Sequence, residues 1–145
     1  MLVVALQLAT GCVRKEGEAK VDKAVEAVTN GDLAKLEIAL REGGNANAAD
    51  KRGVPALMIA VGSDQFRAAN MLVASGADIW IVDDFGATPA HMALLARLEP
   101  GSPEGDARDL FIVHLREAGY PWPPPTPAQI LEAKKAGHWP PKRGS

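Results

Sequence analysis

Cysteine is almost missing from this sequence. Cys12 is the single one in 145 residues, which excludes an intrachain disulfide and any cluster of Cys ligands for a metal. Aromatic residues are scarce as well, at 5%, while alanine, leucine and valine abound, a mixture that favours packed helices over sheets. Charge of one sign is not in excess: 16 Lys and Arg stand against 18 Asp and Glu, a formal net charge of −2. That balance supplies no concentrated basic face, so no nucleic-acid partner is expected. The apolar run Met1–Leu8 is too short to span a bilayer, which takes about 20 residues. Motifs of chemistry are missing too. There is no Gly-rich phosphate loop followed by Lys and Ser/Thr, and no Gly-x-Ser-x-Gly elbow. His91, His114 and His138 fall in separate stretches, without an i, i+4 partner or a nearby pair of carboxylates. No catalytic residue, metal or cofactor is therefore assigned, and the chain is expected not to be an enzyme.

What is present is a repeat. The length suits one compact domain, and 47% hydrophobic residues suffice for a core. Asp50-Lys51-Arg52-Gly53 aligns with Asp83-Asp84-Phe85-Gly86 at an offset of 33. The same offset pairs Ala60 with Ala93, Gly31-Asp32-Leu33 with Asp64-Gln65-Phe66, and Gly43-Gly44-Asn45 with Gly76-Ala77-Asp78. Several matches at one period point to a chain of similar units, each too thin to bury its own apolar face without its neighbours. In this alignment Asp83, like Asp50, starts a turn, so Asp83-Asp84 is not read as a catalytic acid pair.

The residues carrying the repeat resemble the ankyrin family. Gly86-Ala87-Thr88-Pro89-Ala90-His91-Met92-Ala93 is similar to its Gly, Thr-Pro, Leu-His, Ala consensus. Met71 to Asp78, and Leu36 to Asn47, resemble the ending of its second helix. The likeness runs from about Val21 to Gly119. It implies an all-α fold: an ankyrin-repeat solenoid of about three helix-turn-helix units, with β-hairpin fingers and a C-terminal capping helix. It also implies that the His91 imidazole bonds backbone between adjacent hairpins.

The expected units are Val21–Asn30 with Leu33–Glu42, Pro55–Val61 with Gln65–Ala74, and Thr88–Ala96 with Arg108–Ala118. Thr88 and Thr126, each followed by proline, suit helix starts, and Gly43, Gly76 and Gly119 suit helix ends. From Gly76 to Gly119 is 43 residues, ten more than the repeat, and the Pro- and Gly-rich stretch Leu98–Gly105 is taken as the inserted loop. The run Tyr120–Pro125 cannot be helical; it is an SH3-type ligand or, the better reading, packs beneath a capping helix at Thr126–Gly137. The division is then 1–12 a signal segment, 13–20 a tether, 21–137 the repeat domain with its cap, and 138–145 a loose tail.

Leu8-Ala9-Thr10-Gly11-Cys12 resembles a bacterial lipobox, in which Cys12 is lipidated, although no Lys or Arg precedes the apolar run. On the alternative reading Cys12 is incidental and the N-terminus is a frayed apolar end. The lipobox reading implies a periplasmic lipoprotein that touches the membrane only through its anchor; the alternative is a cytoplasmic protein.

The ankyrin resemblance implies protein–protein interaction through fingers and first helices. Carried over by position, the partner-binding residues are Ala49, Lys51, Arg52, Val54, Trp80, Ile81, Val82, Asp84, Phe85 and Ala87, with Gly62, Ser63, Leu95 and Ala96 along the helices. Trp80 stands where the earlier unit has Asn47, and it makes one finger unusually apolar. Either it packs against the insertion or cap, or Trp80 and Phe85 are exposed anchors; the second is preferred. The function expected is a bacterial inhibitor or immunity protein that grips a protein partner such as a toxic enzyme, as a monomer or in a 1:1 complex. A cytoplasmic scaffold or adaptor is the alternative.

Overall fold

The computed structural model describes residues 21–142; the expected signal segment, Cys12 and the tether lie outside them. The described residues form seven helices: α1 (Lys23–Thr29), α2 (Leu33–Arg41), α3 (Ala56–Gly62), α4 (Phe66–Ala74), α5 (Pro89–Leu95), α6 (Pro103–Glu117) and α7 (Pro127–Lys135). None is long and apolar enough to cross a membrane. The fold is all-α, as composition and repeat suggest.

Side chains at the helix starts explain where the helices begin. Asp22, Asp32, Thr88, Ser102 and Thr126 each accept a backbone N–H from the first turn, and Thr126 with Gln129 completes a reciprocal capping box. At the other ends, Gly43, Gly76 and Gly119 all adopt positive φ, which glycine takes without steric penalty. Consecutive helices pack as hairpins: α1 with α2, α3 with α4, α5 with α6. The hairpins then stack, so that α1, α3 and α5 form one row and α2, α4 and α6 a second. Ala24, Ala56, Ala60, Ala90 and Ala93 are fully buried in the first row, where larger side chains would force the helices apart. Phe66 and Phe111, 5.8 Å apart, fill the space between α4 and α6.

Three expectations need correction. The first concerns the fingers, which form no strands among the described residues. A single antiparallel bridge joins Ala49 and Pro55. Asp50 explains why: its carboxylate accepts N–H groups from Arg52 and Val54, both at 2.9 Å, and a tight turn replaces the ladder. Asp83 does the same 33 residues later with Phe85 and Ala87, at 2.9 and 2.8 Å.

The second concerns the insertion. α6 begins at Pro103, not Arg108, because Ser102 caps it and Pro103 fits its first turn. The extra turn carries Glu104 to α4, where Gln65 supplies no side-chain cap. Glu104 accepts the Arg67 backbone N–H at 3.0 Å and its guanidinium at 2.6 Å, so an acid from the next unit caps the helix.

The third concerns Trp80, expected to be exposed. It is buried, with 8% exposure. In the earlier unit Asn47 ties to the following turn, donating to the Gly76 carbonyl and accepting from Asp78 N–H at 2.7 Å. One unit on, the residue matching Asp78 is Pro121, which has no N–H to give. Trp80 replaces the polar tie with a stack on Tyr120, rings 4.5 Å apart and 11° from parallel. Trp139 closes the cluster edge-on and donates its indole N–H to the Trp80 carbonyl at 3.2 Å. Trp80 thus packs on the C-terminal segment, not on the insertion. The expected loose tail is, at Trp139, part of the fold, and Tyr120 and Pro124 of the Pro-rich run are buried as well.

Burial pushes the Tyr120 phenol above its ordinary pKa; the Thr88 hydroxyl offsets part of this and the Asp78 carboxylate adds to it. The folded state therefore keeps a proton that an unfolded tyrosine loses near pH 10. Stability from this group is complete below about pH 10 and falls as pH rises beyond it. Tyr120 is the only tyrosine, so its ultraviolet titration reads the site directly. The expected outcome is a phenolate midpoint above that of free tyrosine, and a flatter alkaline loss of Tm in Tyr120→Phe than in the parent.

Candidate interaction groove

Between the two Asp-started turns lies an open groove of about 460 Å³. One wall is Arg52, Gly53, Val54 and Pro55; the other is Ile81, Val82, Asp84 and Phe85; Met58 and Met92 reach it from α3 and α5. The walls hold their shape through backbone and carboxylate together. Asp50 N–H donates to the Val54 carbonyl and Asp83 N–H to the Ala87 carbonyl, at 2.9 and 3.0 Å, so each turn is closed twice. Asp50 carries a further tie to Arg52, Nη2 to Oδ2 at 3.0 Å. The Val54 N–H, with help from Arg52, holds the Asp50 carboxyl below its ordinary pKa against an opposing effect of burial.

The lining is apolar at its floor and carries opposite charges on its rims, Arg52 on one side and Asp84 on the other. Phe85 stands out at the tip of its turn with 80% exposure, the highest of the exposed large apolar side chains. An aromatic ring held in water by a rigid turn is an unsatisfied apolar surface, and a neighbouring groove with two methionines is adaptable. Such an arrangement can hold a protruding side chain of another protein.

The structure brings together Arg52, Val54, Ile81, Val82, Asp84 and Phe85 of the expected binding residues. Lys51 is exposed at the neighbouring turn tip, Ala87 is half-buried at the base of its turn, and Leu95 is exposed on α5. Trp80 does not belong to the groove. Met58 and Met92 were not foreseen: at a period of 33, Met92 matches Ile59, so the repeat gave no signal that they meet.

The histidines stay apart, in α5, α6 and beyond α7. The backbone bond expected of the His91 imidazole is not found at Nδ1, which is buried without a hydrogen-bond partner. Across the cavity that His91 lines stand Pro123, Pro124 and Pro125, none of which has an N–H to donate. Among the described residues no group of three His, Cys, Asp or Glu could hold a metal ion. No protein-family model matches the chain.

Proposed function

We propose that this chain is an ankyrin-type repeat protein that binds another protein through the groove between its two turns. The observation that carries the reading is Phe85, 80% exposed beside a groove with an apolar floor and oppositely charged rims. The turns themselves support the ankyrin assignment: the same Asp, Gly and hydrogen-bond pattern recurs 33 residues apart on stacked helix hairpins. Aromatic and Arg side chains around a desolvated pocket are the residues that dominate interface energies.

The lipobox-like stretch ending at Cys12 extends the proposal to a lipid-anchored periplasmic inhibitor or immunity protein that covers a toxic or envelope-acting enzyme. Labelling with a radioactive fatty acid tests the anchor: label in the parent and none in Cys12→Ser supports it, and an unlabelled, freely soluble parent refutes it. For the groove, Phe85→Ala is expected to weaken the partner complex at least about tenfold, the loss of one interface anchor. Its Tm is expected to stay within about 1 °C, since an exposed ring contributes little to folding. Unchanged affinity for a partner retained by the parent removes Phe85 from the interface.

A further inference from the structure

The join between α4 and α6 shows how one helix of the second row receives the next. α4 turns Arg67 and Asn70 toward α6, where they meet Glu104 at 2.6 Å and the Ala107 carbonyl at 2.9 Å. Counted from Gly76 and Gly119, which follow the two helices, the same positions on α6 are Leu110 and Val113. Here both are apolar, and both remain about half exposed, at 49% and 46%.

Among the described residues the second row stops at α6. α7 lies beside the first row: its N-terminus closes on Gly86, and its Gln129 and Ile130 face His91 and Leu94 of α5 across a cavity. Among the described residues it is one helix without a second to pair with it alongside α6. The opposite end of the stack differs. There Ile38, half exposed as well, stands among charges of both signs, Lys23, Glu26, Lys35 and Glu42. On α6 the two apolar residues are instead bracketed by acids, Asp106 and Glu117, at a 4-3-4 spacing that makes one exposed stripe; exposed Asp109 and Arg116 stand beside it, leaving the surround acidic in balance.

We propose that this outer face of α6 docks one amphipathic helix of a partner protein, apolar at two positions three or four apart and basic on the flanking turns. The bracketing acids select the basic flanks. A second copy does not fit: an antiparallel α6–α6 contact sets Asp106 against Glu117 of the other copy, and a head-to-tail stack brings the incoming α1 to the place of α7. This face is separate from the groove at Phe85, so either can fail alone.

The test titrates the isotope-labelled full chain with a 15-residue helical peptide bearing Leu at three- and four-residue spacings and Lys on the flanking turns. A second peptide carries Glu in place of Lys. Backbone resonance shifts are expected along 106–117 and not around Phe85, with the Lys peptide at least about fivefold tighter. Leu110→Glu should weaken binding more than about tenfold. Glu117→Lys, an exposed change in the last helical turn that leaves folding intact, should erase or reverse the preference between peptides. Shifts centred on the turns, an equal response to both peptides, or a preference untouched by Glu117→Lys overturns the proposal. So does a dimer by sedimentation that Leu110→Glu dissolves, which assigns the face to a second copy.

Discussion

Trp80→Ala is expected to cost about 3–5 kcal/mol of folding stability, as removal of a large buried aromatic does. The ring is the hub of the C-terminal end. It stacks on Tyr120, takes Trp139 on its edge, and its carbonyl accepts the Trp139 indole N–H. Two aromatic contacts beyond simple burial add about 0.5–1.5 kcal/mol each to what is lost. Urea denaturation checks it, and a loss under about 1 kcal/mol shows that the cluster is not a stabilising core. Trp80→Asn is no better, although Asn suits the equivalent position in the earlier unit. Asn47 works there because Asp78 offers an N–H and Gly76 a carbonyl; Pro121 removes that N–H at the next turn. Affinity for a partner in the Phe85 groove should survive at temperatures where the variant is folded.

Gly86→Ala should be the second most damaging change, and Gly53→Ala its control. The two glycines occupy equivalent places 33 residues apart, with φ of 84° and 81°. A methyl group at Gly53 meets nothing within 4 Å, so only the left-handed backbone resists it, by about 1–2 kcal/mol. At Gly86 the same methyl collides with the Pro127 carbonyl at the start of α7. Backbone cannot swing aside as a side chain can, so α7 must shift, which adds about 1–3 kcal/mol of overpacking. Chemical denaturation should give Gly86→Ala a total loss of roughly 2–5 kcal/mol. Amide exchange should speed up across 126–137 in Gly86→Ala and stay unchanged there in Gly53→Ala. Equal losses in the two variants contradict the packing of α7 on this turn.

The regular part of the molecule was legible because the repeat states it several times. Apart from the start of α6, helix bounds fall within about two residues of those expected, since caps and positive φ are local requirements that residue type reveals. The asymmetries were less visible. Whether Ser102-Pro103 is loop or cap depends on Glu104 finding Arg67, a contact 37 residues away. Trp80 was noticed as the odd residue of its finger, but its burial is decided by Tyr120 and Trp139, 40 and 59 positions on. The informative sign was Pro121, because a missing N–H at that turn tells why Asn could not be kept. In the groove, turn residues were found by period, while the methionines beneath them escaped it.

Affinity capture comparing the parent chain with a folded Phe85→Ala, Arg52→Gln double variant tests the central claim most directly. Both side chains are exposed, so circular dichroism and Tm should match. The account predicts at least one protein retained by the parent and lost from the variant. An identical set of retained proteins from both baits contradicts it.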